Sequence, residues 1–345
     1  MARSLTYEVQ QHKNAALRQK TMNTIGQGTR DDEAQNDPLD EALIRAAMNG
    51  EQDVAVLICR GASVEAADVL GQTPLMWAAL RGHKYVVNLL AGEYKANVEA
   101  VSVLGMTSLM WAAHRGHADV IDLLAGTYNA NVEAADSNGT TALMLAAMGG
   151  HTDVVNLLAG AFEANVEASD VDGRTALMYA ALKGHPITID ALVGMHNANV
   201  EGADAHGLKA LMYAALEGSK DSINVLIDRY SANVEAVDAH GTTALMVAAG
   251  NGHTDLINLL VGKYNANVEA ADSTGATALL YASSEGHTDV VNLLVSTYHA
   301  NIDTVSFSGQ TALAAAVRQG HRRTANALLH HGAIAPSTCT CCTSM

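Results

Sequence analysis

The sequence predicts an all-α protein built as a solenoid, in which small helical units stack in a row. A glycine recurs every 34 residues through most of the chain, at Gly71, Gly105, Gly139, Gly173, Gly207, Gly241, Gly275 and Gly309. After each of these glycines come two sets of apolar residues at helical spacing, which indicate two helices in each copy. Imperfect copies lie at the two ends of the series, as a stack with two exposed ends requires.

The copy that Gly71 opens shows the order of its elements. Gly71 suits a turn with positive φ, Thr73 is placed to cap a helix, and Pro74 is tolerated in a first turn. Two apolar sets follow at helical spacing, Leu75, Ala78 and Ala79, and then Val86, Leu89 and Leu90. Between the two sets, Gly82 is expected to end the first helix as a left-handed cap. We therefore predict turn, helix, tight turn, helix and return loop in each copy.

These residues resemble the ankyrin repeat. The family motif Thr-Pro-Leu-His-x-Ala corresponds to TPLMWA at 73–78, its Gly-His step to Gly82 and His83, and its Asp-Val-Asn-Ala segment to NVEA at 97–100. The resemblance covers about residues 38–336. It implies an ankyrin-repeat α-solenoid of about nine helix-turn-helix units joined by β-turn or hairpin loops, with a partner protein bound on the concave face.

Two columns of residues depart from the family pattern. Methionine replaces the family histidine of the first helix, which favours apolar packing, at Met76, Met110, Met144, Met178, Met212 and Met246. The repeat is one residue longer than the usual family unit, and we place the extra residue after the second helix. There an aromatic column replaces the expected glycine, at Tyr94, Tyr128, Phe162, His196, Tyr230, Tyr264 and Tyr298. It is either a packing ladder or a binding face, and its regular recurrence favours packing.

The chain divides into three parts. Residues 1–37 lack the repeat and are predicted to be mostly disordered. Residues 38–336 form the solenoid, with a capping copy at 38–70 and the other copies starting at the eight glycines. Residues 337–345 are predicted as a flexible tail that contains cysteine. No apolar run suggests a signal peptide or a membrane span, so we expect a cytoplasmic protein.

The composition narrows the class of partner. The formal net charge of −16 argues against nucleic acid, because phosphate binding needs basic clusters. One carboxylate recurs in each copy, at Glu99, Glu133, Glu167, Glu201, Glu235, Glu269 and Asp303. This carboxylate column could attract a basic partner or calcium, or it could simply be a solvated face. We favour the solvated face. Cys59 is predicted to be a buried apolar residue, and no pattern of paired cysteines spans the array, which fits a reducing compartment.

No catalytic or cofactor-binding motif is present. The sequence has no phosphate-cradling loop, nucleophile elbow or zincin helix, so we predict no catalytic residue, no cofactor and no small-molecule substrate. A histidine follows the helix-ending glycine in seven copies, at His83, His117, His151, His185, His253, His287 and His321. Neighbouring members are too far apart to share a metal ion, and they match a structural histidine of the family.

The partner surface is predicted from the turn tips and the ends of the first helices. At the amino-terminal side of the array these positions are apolar or basic, whereas further along the tips become polar. Adjacent exposed apolar tips beside arginine favour an interaction patch, although turn residues that pack on each other are the alternative. The predicted patch comprises Val69, Leu70, Gln72, Leu80, Arg81, Val103, Leu104, Met106, His114 and Arg115.

The carboxyl-terminal sequence suggests attachment to a membrane surface. Cys342 is fourth from the end and is followed by Thr-Ser-Met, which resembles a farnesylation box, although its middle residues are polar. Cys339 and Cys341 are candidates for palmitate, and the last copy is locally basic, with Arg318, His321, Arg322 and Arg323. An unmodified tail whose thiols oxidise or bind a soft metal is the alternative.

These observations favour a non-enzymatic scaffold or adaptor that binds one or more proteins. Its tail would allow peripheral attachment to the cytoplasmic face of a membrane. A regulatory inhibitor of a partner enzyme, or a pathogen effector that acts on host proteins, remains the alternative.

Overall fold

The computed structural model describes residues 37–334, and in this range nine pairs of α-helices follow one another. The first helices of the pairs are Pro38–Asn49, Pro74–Arg81, Ser108–Arg115, Ala142–Gly149, Ala176–Leu182, Ala210–Glu217, Ala244–Gly250, Ala278–Glu285 and Ala312–Arg318. The second helices are Val54–Cys59, Lys84–Asn88, Ala118–Ile121, Thr152–Asn156, Pro186–Gly194, Lys220–Asn224, Thr254–Ile257, Thr288–Ser296 and Arg322–His330. The predicted all-α solenoid of about nine helix-turn-helix units is confirmed.

The turns between the pairs hold no regular strand in residues 37–334. Isolated antiparallel bridges, such as that between Ala135 and Thr141, close some of the turns. The predictions of a disordered amino-terminal segment and of a flexible tail at 337–345 with Cys339, Cys341 and Cys342 fall almost entirely outside the described residues. Within residues 37–334, no helix combines the length and the hydropathy that a bilayer-spanning segment needs.

Six of the nine first helices end at the left-handed glycine that the repeat pattern indicates, and in the other three the C-cap is the residue before this glycine. The Thr73 side chain accepts a hydrogen bond from the Met76 backbone N–H (3.4 Å), which satisfies one of the unpaired donors of the first turn. Gly82 has φ of 75°, and its N–H reaches back to the carbonyls of Ala78 and Ala79. Short-range turn chemistry therefore sets the bounds of the first helix.

The first helices of successive copies pack against each other and form one continuous apolar core from Leu43 to Ala333. The methionine column lies inside this core, and each of its six members is at most 2% exposed. Apolar packing of the methionines is therefore confirmed. Met is unbranched and adaptable, so it fills the space between the alanine-lined helices without needing a polar partner.

The extra residue of the 34-residue repeat lies inside the second helix, whereas we predicted it after that helix. In five copies its last turn is a π-helix, at Leu89–Glu93, Asp122–Thr127, Leu157–Ala161, Val225–Arg229 and Asn258–Lys263. The Tyr94 N–H, for example, donates to the Leu89 carbonyl five residues earlier (3.2 Å). The insertion thus lies within the helix rather than after it, because widening one turn to π geometry accommodates one more residue and keeps the apolar face aligned.

The residue after each aromatic is left-handed although it is not glycine. Lys95 has φ of 56°, and the equivalent residue of every internal copy lies close to this value. In the two end copies, which have no π turn, Gly61 and Gly332 fill this position with positive φ. Asparagine, which fills this position in three internal copies, tolerates the left-handed region. Lys95, Glu163 and Ser231 adopt it at a conformational cost that the glycines of the end copies avoid.

The carboxylate column has a structural role that the solvated-face interpretation missed. Glu99 Oε1 accepts a hydrogen bond from the backbone N–H of Asn131 in the next copy (2.7 Å). The same contact recurs from Glu65 to Glu269 at each internal junction. These side chains are partly solvated, but each one joins the return loops of two successive copies.

Cys59 is exposed, and the prediction that it is buried is wrong. It lies at the end of the second helix of the first copy, where Val54 is buried but both Cys59 and Arg60 are exposed. Because this helix is the first of its row, only one side of it is covered by a following copy. Burial of an apolar position therefore depends on having neighbours on both sides.

Candidate partner-binding surface

Four apolar side chains lie on two adjacent turn tips. Val69 is 64% exposed, Val103 is 72% exposed and Leu104 is 38% exposed, while Leu70 is half-buried. The tips are joined directly, because the Val103 N–H donates to the Leu70 carbonyl (2.9 Å). These four residues, which we call the apolar tips, place three exposed apolar side chains and one half-buried apolar side chain on two adjoining turns.

Two arginines lie at the ends of the corresponding first helices. Arg81 and Arg115 are both the last residue of a first helix, and both are exposed. The same position carries Lys183 in the middle of the array and Glu217 and Glu285 after it, so the sign of charge reverses only in the carboxyl-terminal half. The amino-terminal end of this surface is therefore apolar and basic within an acidic protein.

Four residues of the predicted patch do not face the solvent. Gln72, Leu80, Met106 and His114 are 2%, 4%, 0% and 8% exposed, respectively. The Ser102 N–H donates to the Met106 carbonyl (3.0 Å), which closes the turn and returns Met106 to the core. Leu80 and His114 are buried on first helices that pack against the first helices of neighbouring copies. The surface that remains accessible consists of the apolar tips with Arg81 and Arg115.

His114 is buried in an unusual setting. Its ring lies edge-on to Trp111, with 6.4 Å between the ring centroids, and its Nδ1 has no hydrogen-bond partner among residues 37–334. Burial is the main cause that lowers the pKa of His114 to about 4, with a smaller contribution from the charge of Arg115. The ring is therefore neutral at pH 7 and adds no charge to the surface.

A donor–carboxylate pair links the first helix to the preceding turn in several copies. Trp77 Nε1 donates to Asp68 Oδ2 (3.0 Å), and tyrosines at the same position donate to the corresponding aspartates. In the copy that Gly105 opens, Ser102 replaces the aspartate, and Trp111 Nε1 has no partner among the described residues. Comparing the copies position by position would have revealed this exception, which our sequence analysis did not single out.

The histidine column makes structural contacts. His117 Nε2 bonds to the Leu80 carbonyl 37 residues earlier (3.2 Å), and the other members make the equivalent contact. Burial lowers the pKa of His117. Between residues 37 and 334, no group of three or more His, Cys, Asp or Glu side chains is arranged as a set of metal ligands. The structural role implied by the resemblance therefore accounts for this column.

The aromatic column joins successive second helices. Tyr128 Oη donates to Asn88 Oδ1, 40 residues earlier (2.7 Å), and Tyr264 Oη donates to Asn224 Oδ1 (2.6 Å). Phe162 keeps the ring and lacks the hydroxyl. The rings are half-buried and pack against the core. These contacts support the packing interpretation over an aromatic binding face.

Comparison with known families finds the same repeat. A family model described as ankyrin repeats (3 copies) matches residues 20–102, 93–170, 109–204, 161–238, 196–272 and 245–338. No curated protein matches the chain.

Proposed function

The chain belongs to the ankyrin repeat family, and on this premise we propose that it is a non-enzymatic scaffold or adaptor that binds a partner protein through the apolar tips and the adjacent arginines. The observation that carries this proposal is that two adjoining tips present apolar side chains to solvent, with Val69, Val103 and Leu104 exposed and Leu70 half-buried. Soluble surfaces rarely expose adjoining apolar side chains without an interaction to cover them. Arg81 and Arg115 beside them add the composition that is typical of interface hot spots.

A pair of substitutions tests the proposal without disturbing the fold. Leu70→Asp and Leu104→Asp each place a charge on an apolar tip, and the same position holds Asp172 in a later copy. Only backbone atoms of these leucines bond to the next tip, so the fold should tolerate aspartate there. Affinity capture with the full chain should recover a partner that both variants lose.

Val171→Asp is the matched control. Val171 is 71% exposed and occupies the position of Val69 and Val103 on a tip that is otherwise polar. We expect this variant to retain the partner. A partner that binds both leucine variants as strongly as it binds the unchanged chain would rule out this surface.

The recovered partner also separates a scaffold from an inhibitor. If the partner is an enzyme, the full chain is added to it at saturating concentration and its turnover is measured. A scaffold leaves turnover unchanged, whereas a regulatory inhibitor reduces it. The same comparison with a host enzyme would test an effector role.

We also propose that the tail tethers this scaffold to the cytoplasmic face of a membrane. The support is the sequence at Cys342, with Cys341 and Cys339 as further acceptors for a second lipid. A second lipid matters because a single attached lipid chain gives only marginal membrane binding. Mass spectrometry of the tail from eukaryotic cells is the test, and an unmodified Cys342 would remove the tether.

A further inference from the structure

The last copy of the array differs from the others in its charge. From Gly309 to the end of the chain there is no aspartate or glutamate, although the protein as a whole has a net charge of −16. Arg318, Arg322 and Arg323 are exposed, and none of them forms an ion pair within residues 37–334. The carboxyl-terminal end of the stack is therefore a cationic surface on an anionic protein.

The basic residues lie on the outer side of the last helix, Arg322–His330. Thr324, Ala325 and Leu328 are buried and define the side of the helix that packs on the core. Arg322, Arg323 and His330 are exposed and fall on the opposite side at helical spacing, and exposed Leu329 lies at its edge. We call these four residues, together with Arg318, the terminal face.

A cap for the end of a solenoid must be polar, but this requirement does not select a sign of charge. The amino-terminal capping copy meets it with both signs, including Glu41, Arg45 and Asp53. At the position of Arg323, five earlier copies carry an acid: Asp119, Asp153, Asp221, Asp255 and Asp289. The uniform positive charge of the terminal face therefore needs a reason other than capping.

The chain beyond the terminal face suggests what this surface meets. Ile334 is 73% exposed, and Cys342 follows it by eight residues, a distance of at most roughly 28 Å if fully extended. A lipid on Cys342 would thus hold the terminal face close to phospholipid headgroups. The arginines contribute only where the terminal face comes within about a Debye length, ~8–10 Å, of the headgroups, and the tether keeps the face near enough for such encounters to be frequent.

We propose that the terminal face docks on an anionic phospholipid surface and supplies the second signal that a singly lipidated tail needs. This inference rests on the proposed tether for its role in the cell. Each arginine near an anionic leaflet contributes about a five-fold gain in partition, so three together give about a hundred-fold gain. The remaining copies carry the negative charge, which disfavours their contact with the same surface and leaves the apolar tips accessible.

Vesicle sedimentation with the full chain expressed in bacteria tests the docking itself, because this material carries no lipid. The vesicles are phosphatidylcholine alone, or phosphatidylcholine with roughly one quarter phosphatidylserine, at low ionic strength. We expect partition onto the serine-containing vesicles to be between about ten-fold and about a hundred-fold higher, the upper figure requiring all three arginines at the surface, and to fall as salt is raised.

Charge reversal identifies the surface responsible. Arg322→Glu with Arg323→Glu should abolish the preference for phosphatidylserine. Arg45→Glu with Arg60→Glu is the control pair, because it changes the net charge by the same amount on exposed residues of the first copy. This pair should keep the preference for phosphatidylserine. Arg322→Gln with Arg323→Gln, checked for an unchanged melting temperature, shows that lost binding does not reflect lost folding.

The proposal would be overturned if the unchanged chain showed no preference for phosphatidylserine, or if the two charge-reversed pairs lost binding equally. If the Arg322→Glu, Arg323→Glu pair changed the capture of a partner protein while the unchanged chain bound no vesicles, the proposal would also be overturned. The terminal face would then bind an acidic protein. An unmodified Cys342 in cells would remove the tether but would leave the vesicle result standing, so the two failures are distinguishable.

Discussion

Trp77 Nε1 donates a 3.0 Å hydrogen bond to Asp68 Oδ2, which ties the first helix of its copy to the turn that precedes it. Asp68 Oδ1 also accepts from the backbone N–H groups of Leu70 (2.9 Å) and Gln72 (2.8 Å). One carboxylate thus organises both the turn tip and the helix. In the next copy Trp111 keeps the donor, but Ser102 offers no carboxylate, and the indole N–H is buried without a partner among the described residues.

Ser102→Asp should therefore stabilise the protein. Ser102 Oγ already accepts from the Met106 N–H (3.2 Å), so the new carboxylate would keep that bond and add the Trp111 indole N–H, as Asp68 does for Trp77. Satisfying a buried donor is worth about 1–2 kcal/mol in the free energy of unfolding. Urea titration of the full chain measures the change, and a variant no more stable than the unchanged protein would contradict the argument.

Ser306→Asp separates the indole contribution from the turn contribution. Ser306 occupies the same position in the last copy and is also buried, but Ala315 takes the place of the tryptophan. An aspartate there gains no side-chain donor, and one of the two backbone N–H groups, that of Gln310, already donates to Ser306 Oγ (3.2 Å). We expect it to stabilise by about 1 kcal/mol less than Ser102→Asp.

Phe162→Tyr should add a hydrogen bond between two second helices. Asp122, 40 residues earlier, occupies the position of the acceptors Asn88 and Asp190. A tyrosine hydroxyl at 162 would donate to it, with a gain of about 1 kcal/mol in the free energy of unfolding. Tyr264→Phe should lose about the same amount, because it removes the hydroxyl that bonds to Asn224. Equal stability of all three proteins in thermal melts would show that these contacts do not contribute.

His114 should make the protein less stable in acid. Burial lowers its pKa to about 4, whereas an exposed histidine titrates near 6.5. Below about pH 6.5 the unfolded chain binds a proton that the folded chain does not, so stability falls until the pH reaches the folded pKa. At about pH 5 the loss is about 2 kcal/mol relative to pH 7.

His114→Leu is the corresponding control, because leucine occupies this position as Leu80, Leu182 and Leu216 in other copies. Its free energy of unfolding should fall by about 2 kcal/mol less than that of the unchanged chain over the same pH interval. If the two proteins lose equal stability between pH 7 and pH 5, His114 is not the group responsible.

Gly116→Ala should be strongly destabilising. Gly116 has φ of 76°, and an added Cβ would lie 2.5 Å from Nδ1 of His151 in the next copy. Gly320 has φ of 80° at the same position in the last copy, where nothing lies within 4 Å of such a Cβ. Gly320→Ala therefore costs only the backbone strain of about 1 kcal/mol, while Gly116→Ala should cost about 2–4 kcal/mol. Similar melting temperatures for the two variants would contradict a role for the histidine contact.

Much of the fold could be predicted from the sequence because helix caps and turns depend on residues that are close together in the chain. Thr73 and Gly82 mark the ends of a helix through hydrogen bonds that span only a few residues. The repeat length then gives the number and the order of the helix pairs. The π turn was missed because an insertion can be absorbed inside a helix or after it, and only the Tyr94–Leu89 bond distinguishes the two.

The candidate partner-binding surface could be predicted only in part from the sequence. Val103 and Met106 belong to the same turn, yet one is 72% exposed and the other is in the core. Position in the repeat gives each residue its place on the turn, but exposure depends on which neighbouring copy covers it. Cys59 illustrates the same dependence, since it lacks the second neighbour that an internal copy has.

The amino-acid order alone therefore specified the repeat, the helix pairs and the stacked architecture, because caps, turns and apolar periodicity act over a few residues. Stacking decided which side chains stay accessible and which ones pair, such as Tyr128 with Asn88 and His117 with the Leu80 carbonyl. Those contacts join residues 37–40 positions apart, and they exist only when one copy packs against the next.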